Sequence, residues 1–335
     1  MQMNIAITNA QSVIYLDEIK ELLDKQGLRY ENDAEYFCTA HTAEGELAGC
    51  VGLAGNIIKY FAIQDAFKGE GLSRSMVTEV LLTAHQLGRK SLSIFTTPDK
   101  VAIFESMGFT PLTSLNRDSV LLINRPDKLQ QVQNELSTHG VSGDKIGAIV
   151  MNANPFTKGH AYIVEQAASQ CDWLHIFVVS ENDQEFSFAD RFAMVKQGTA
   201  HISNITVHAG NEFIISQRTF PSYFLKKSGL VNQLHAEIDC EVFKRHIAPS
   251  LGINHRFVGS EPNCAVTHNY NGVMKQILPP EIQVTELERL NLEGSSISAS
   301  TARSQLTQAA SSVANLLPIT TINYLIENCG YALQI

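Results

Sequence analysis

The chain has 335 residues, 44% of them hydrophobic and 18% charged, and a formal net charge of −9. That length can bury two separate cores, and the acidic balance argues against a nucleic-acid partner, whose phosphates are met mainly by Lys and Arg. "MQMNIAITNA" is not a signal peptide and no apolar run spans a bilayer, while six cysteines without a C-x-x-C pair (Cys38, Cys50, Cys171, Cys240, Cys264, Cys329) indicate reduced cytoplasmic thiols and no metal site.

Short elements alternate at the start. "NIAIT", "EYFCTAHT" and "ELAGCVGLAG" predict strands, and "YLDEIKELLDKQG" has helical periodicity. "FKGEGLSRSMVTEVLLTAHQLG" places Leu72, Met76, Val77, Val80, Leu81 and Ala84 at helical spacing after a glycine-rich turn. "SLSIFT" predicts a strand, "DKVAIFESMG" a short helix and "SVLLIN" a further strand. This gives a mixed α/β domain over 1–127, followed by a linking helix and Gly/Ser hinge over 128–144. From 145 to 335 the units lengthen into strand–helix pairs: "KIGAIVMNA" with "GHAYIVEQAASQ", "WLHIFVVS" with "FADRFAMVKQGTAH", then "ITVHAG". "PSYFLKK" to "DCEVFKRHIAP" reads as helical, "HRFVGS" and "IQVTEL" as strands, and "SASTARSQL" as another helix. Strands alternating with helices predict a doubly wound parallel sheet, whose ligands sit beyond the strands' carboxyl ends.

Two strand–helix junctions offer phosphate chemistry. In "NANPFTKGH", a proline turn leads through Thr157, Lys158 and Gly159 to His160. In "ISASTAR", Ser298 and Ser300 precede Arg303 by about one turn. The first turn of a helix carries unpaired N–H groups and partial positive charge, and a guanidinium adds charged donors. Taken alone, each stretch also suits an ordinary capped helix start, with His160 partly buried and Arg303 solvated.

Together and in this order, the two resemble the paired signatures (H/T)-x-G-H and I-S-x-[ST]-x-x-R of the nucleotidyltransferase superfamily. The resemblance implies a Rossmann-like domain in which both helix starts face one ATP. It places Asn152, Asn154, Pro155, Phe156, Thr157 and Gly159 along the nucleotide, with Gly159 letting it lie against the backbone. Thr157 and His160 would hold phosphate oxygens. Ser298 and Arg303 would hold the β- and γ-phosphates, Ile297, Ser300 and Thr301 would also bind the nucleotide, and Gly259 and Glu261 of "VGSEP" would lie near adenine and ribose. "NPFTKGH", "TFPSYFLK", "EVFKRHIAP", "VGSEP", "YNGVMK" and "ISASTAR" look like one branch in particular, the citrate (pro-3S)-lyase ligases.

In the first domain, "FKGEGLSRSMV" resembles the acetyl-CoA loop [RQ]-x-x-G-x-[GA] of GNAT acetyltransferases, with Lys68, Gly71 and Ser73 at the marked positions and Gly69 between them. Lys replaces Arg or Gln, and Ser replaces the last small residue. Such a turn offers backbone N–H groups to a pyrophosphate, and equally serves as a plain strand–helix connection. No catalytic acid or base stands out beside it.

The resemblance implies that ATP, acetate and the thiol of a CoA-derived prosthetic group on the lyase's acyl-carrier subunit give AMP, pyrophosphate and the acetylated carrier. Charge on the reacting phosphates would be met by His160, Arg303, Mg²⁺ and, more weakly, Lys158. Arg191, Lys196, Asp239 and an acyl pocket of Phe220, Tyr223 and Phe224 are lesser candidates. Two alternatives share the motifs: adenylylation of a phosphorylated cofactor precursor, and a non-catalytic nucleotide or CoA sensor.

Overall fold

The computed structural model describes residues 3–69, 71–114, 119–180, 185–214, 231–260, 265–292, 295–307 and 311–333. Contacts divide the chain into two compact units, Met1–Gln131 with Gln217–Ile238, and Val132–Ser216 with Asp239–Ile335. By this division Val132–Asp144, read from sequence as part of a linker, falls with the second unit, and Gln217–Ile238 with the first.

The first unit contains β1 (Asn4–Asn9), α1 (Leu16–Lys25), β2 (Tyr36–His41), β3 (Leu47–Ala54), β4 (Ile57–Ile63), α2 (Leu72–Gln86), β5 (Ser93–Thr96), α3 (Val101–Glu105), β6 (Thr110–Pro111) and β7 (Val120–Ile123). Its sheet has the order β1-β2-β3-β4-β5-β7-β6. Neighbours are antiparallel except β4 and β5, which run parallel and pair only at Ile57–Ser93 and Ile58–Ile94. Because β4 continues to Ile63, the two strands part beyond that row. A cavity of about 230 Å³, lined by Ile58, Phe61, Ile94, Phe95, Thr96 and Phe104 among others, opens at the gap. The face of α2 carrying Leu72, Met76, Val77, Val80 and Ala84 is buried in the core with Val51, Ile58 and Leu122, as its spacing predicts.

Helix α4 (Pro126–Ser137) follows, burying Leu129, Val132 and Leu136 on one stripe. The second unit then winds through β8 (Ile146–Met151), α5 (Lys158–Ala168), β9 (Trp173–Val178), α6 (Phe188–Gly198) and β10 (Ile205–Ala209). After α7 (Val231–Val242), which this division cuts between Ile238 and Asp239, a π-helical turn (Phe243–Ile247) and α8 (Ala248–Leu251) come β11 (His255–Gly259), α9 (Ala265–Ile277) and β12 (Gln283–Leu287). A small pair, β13 (Asn291–Leu292) and β14 (Ser295–Ser296), precedes α10 (Ala299–Thr307) and α11 (Ile319–Cys329). The main sheet is parallel throughout, in the order β10-β9-β8-β11-β12. Its order reverses between β8 and β11, the switch point at which such sheets bind ligands. These two strands pair only at Gly147–His255 and Ala148–Arg256. Above that row they separate, and the crevice lies between the ends of β8 and β11.

Candidate functional site

The turn from β8 to α5 is held from several sides. Asn154–Pro155 is a cis peptide and Ala153 has φ +48°. Asn154 is buried, and its Oδ1 accepts the Phe186 N–H at 3.1 Å. Asn152 is exposed, but its carbonyl accepts from Arg191 Nη1 at 2.8 Å. Phe156 is fully buried, with its ring stacked 5.8 Å from that of His160. Arg191 differs from its expectation. It is fully buried and donates to the carbonyls of Val179, Phe186 and Asn152, so it is a strut for the turn, not a phosphate ligand. A buried guanidinium is retained only where several acceptors meet it.

Thr157 and His160 form a reciprocal cap on α5. Thr157 Oγ1 accepts the His160 N–H at 3.3 Å, and His160 Nδ1 accepts the Thr157 N–H at 3.1 Å. A nitrogen that accepts a backbone N–H carries no proton, so the imidazole proton resides on Nε2. Burial of the ring, and secondarily the Arg289 guanidinium, push the His160 pKa down to about 4. At neutral pH His160 is therefore an uncharged N–H donor. Thr157 is buried, and its hydroxyl is engaged in the cap. Lys158 is drawn aside, its Nζ donating to the Ala314 carbonyl at 3.2 Å.

The second motif meets the first directly. A Cβ added to Gly159 would lie 3.1 Å from the Ile297 carbonyl oxygen and 3.5 Å from its Cβ. The approach of Ile297 thus leaves little room for a side chain here, and a Cβ would make the Ile297 carbonyl give by a few tenths of an ångström. Arg303 Nη1 donates to the Asn154 carbonyl, which uses one of five guanidinium N–H groups. Ser298 caps α10, its Oγ accepting the Thr301 N–H at 3.1 Å and lying 3.0 Å from Ser300 Oγ and 2.8 Å from Thr301 Oγ1. This puts three hydroxyls at the helix start.

Gly259 closes the far side. A Cβ there would come within 2.5 Å of Ile163 on α5, so β11 and α5 are in contact where the crevice ends. Glu261 lies outside the described residues, as do Phe220, Tyr223 and Phe224. One residue that sequence reasoning missed joins the group: Arg289, two positions beyond β12, donates from Nε to the Ser260 carbonyl at 2.6 Å and acts electrostatically on His160. Its only sequence signal was a lone Arg just past a strand's carboxyl end. Asp239 stands apart from these groups, buried and accepting from the Tyr270 hydroxyl. The crevice therefore gathers a neutral imidazole N–H, two guanidinium groups, three hydroxyls and the first turn of α10, the first turn of α5 being largely capped by Thr157 and the Leu316 carbonyl. That donor set fits a polyphosphate.

In the first unit, Gly69 and Gly71 have φ of +89° and +75°, with open space where a Cβ would stand. Gly71 caps α2 with no side-chain acceptor on its first turn. Lys68 is exposed and pairs with Asp65 at 2.6 Å, and Ser73 lies in the first turn.

Residues 146–325 match the model of the citrate lyase ligase C-terminal domain. The chain belongs to the citrate lyase ligase family. It is 43% identical over 317 residues to a citrate (pro-3S)-lyase ligase of Klebsiella pneumoniae, covering 93% of this chain and 92% of that protein. A citrate (pro-3S)-lyase ligase of Haemophilus influenzae is 42% identical over 322 residues, covering 94% of this chain and 96% of its own length. A phosphopantetheine adenylyltransferase of Staphylococcus saprophyticus is 33% identical over 64 residues, or 18% of this chain and 40% of that one. Residues 7–120 match the acetyltransferase (GNAT) domain model, and the first unit has that fold. Among the described residues no helix is long and apolar enough to cross a membrane.

Proposed function

We propose that this family member acetylates the prosthetic-group thiol on the acyl-carrier subunit of citrate lyase, in the cytoplasm, using ATP and acetate. The observation that carries this reading is the meeting of the two helix starts, through Gly159 against Ile297 and Arg303 on Asn154. An acetate oxygen attacks the α-phosphorus and pyrophosphate leaves; the thiol then loses its proton to solvent, its sulfur attacks the acetyl carbon, and the bond from that carbon to the phosphate oxygen breaks as AMP leaves. Acetate is already anionic, so the first step needs no base. It needs donors for charge that accumulates on phosphate oxygens.

His160 offers Nε2–H, Arg303 and Arg289 offer charge, and Ser298, Ser300 and Thr301 offer hydroxyls beside the α10 N-terminus. Thr157 acts by holding the His160 ring and its tautomer. Mg²⁺ bound to the triphosphate itself would supply further charge neutralisation. In the first unit, the turn Lys68–Gly69–Gly71–Ser73 and the gap between β4 and β5 are proposed to hold a CoA-type arm. The test is ATP–pyrophosphate exchange that depends on acetate, followed by transfer to a thiol-bearing carrier protein. Exchange with phosphopantetheine in place of acetate would instead support adenylylation of a phosphorylated precursor, a reading favoured only by the partial adenylyltransferase match.

A further inference from the structure

The phosphate-binding groups line the mouth of the crevice, whereas the sheet face opposite α5, at the level of the crevice's base, carries polar atoms that they do not explain. The last paired row below the point where β8 and β11 part runs Arg256–Ala148–His175 across β11, β8 and β9. Residues in register across a parallel sheet face the same side. Arg256 and His175 therefore rise on either side of the Ala148 methyl group, their Cα atoms roughly 10 Å apart.

Arg256 is 5% exposed and His175 is fully buried. Arg256 Nε and Nη1 and His175 Nε2 have no hydrogen-bond partner among the described residues. Phe243, the first residue of the π-helical turn, covers this row: the Arg256 guanidinium lies 4.4 Å from its ring centre, and Phe177 meets it edge-on at 6.1 Å. His208 Nε2, 2.9 Å from His175 Nδ1, fixes the imidazole. A buried guanidinium with free N–H groups is costly, and a ring face compensates only in part. Of the acidic groups on the adjoining helix, Asp239 accepts from Tyr270, on which the Arg256 charge also acts, and Glu241 pairs with Arg245 at 3.1 Å.

We propose that Arg256 and His175 form a buried seat for a short-chain monocarboxylate, the acid substrate of the reaction proposed above, on which this assignment rests. The guanidinium and the imidazole N–H take the carboxylate, and Phe243 and Ala148 take its alkyl end. A small inorganic anion shares the charge but not the alkyl contact.

The test uses the full chain and the variants Arg256→Gln and Ala148→Val, with [1-¹³C]acetate binding measured by NMR and KM values measured in the exchange assay. Loss of charge-assisted hydrogen bonds should raise the KM for acetate about tenfold or more in Arg256→Gln, with the KM for ATP within about twofold of wild type. Ala148→Val, which keeps every donor and fills the seat, should raise the acetate KM and keep ATP binding, so the test survives a failure of Arg256→Gln to fold. Unchanged acetate affinity in both variants, or chloride competing as well as propionate does, overturns the proposal. Acetate binding that depends on Arg256 in a chain without exchange activity would uphold the seat and reject the enzymatic reading.

Discussion

Both units place a glycine-bearing helix start near two parallel strands that pair over a single short row and then part, yet the junctions are built on opposite principles. In the first unit, Gly69 and Gly71 are needed for their positive φ, and the space around them is open. The first turn of α2 has no side-chain cap hydrogen bond from Gly71. In the second unit the turn is crowded. Thr157 and His160 cap α5 themselves, Gly159 gives way to Ile297, and Arg191 and Arg303 tie the loop through carbonyls. The first arrangement leaves an open, uncapped helix start; the second fixes side chains in one geometry. A reaction that stabilises phosphate charge benefits from the second kind, because preorganised donors need not rearrange in the transition state.

The strongest way to break this comparison is at His160. His160→Ala should lower acetate-dependent exchange by about 100-fold or more, since one oriented donor is worth roughly 3–4 kcal/mol in the transition state. His160→Gln, which can restore the cap contact, should recover thermal stability without recovering the rate. Near-normal exchange in a folded His160→Ala chain would remove the role assigned to it. Gly159→Ala comes next. Its Cβ would press on the Ile297 carbonyl at 3.1 Å, so the two helix starts should separate, at about 1–3 kcal/mol in denaturant unfolding, with weaker ATP binding. An unaltered ATP affinity would show that the close approach is not what aligns the site.

Acidification gives a smaller, distributed effect. Burial lowers His160 and His175 from 6.5 to about 4, and His208 to about 3. Each is held neutral by the fold, so below pH 6.5 the unfolded chain takes up protons first. Stability should be fully present above pH 6.5, decline as pH falls, and continue to decline until about pH 3. Urea midpoints measured from pH 8 to 4 would check this, and a flat profile would contradict the neutral state assigned to these rings. The smallest change is expected at Gly71→Ala. It should cost about 1 kcal/mol through its positive φ and leave ATP–pyrophosphate exchange untouched.

Much of this was legible along the chain. Apolar runs located β8, β9, β10 and β11 and helical patterns located α2, α5, α6 and α10, because β8 and β9 are buried on both faces and the helices bury one stripe. The strands of the second unit alternate with helices, which dictated a parallel sheet. Other elements were hidden. β4, "IIKYFAI", contains a Lys59 that burial would ordinarily forbid, and ion pairing with Glu31 at 2.6 Å keeps it there. In α9 the stretch "THNYNG" obscures the periodicity, and in α11 "ITTI" has strand propensity that packing of Ile322 and Leu325 overrides.

Sequence alone determined the residue types at the two helix starts, since capping and phosphate binding call for the same small, hydroxylic and basic side chains. Only the tertiary structure decided what each one does. It turned Arg191 inward, added Arg289, and set the proton of His160 on Nε2. Those outcomes depend on which carbonyls and charges arrive from distant strands, and local spacing carries no record of them.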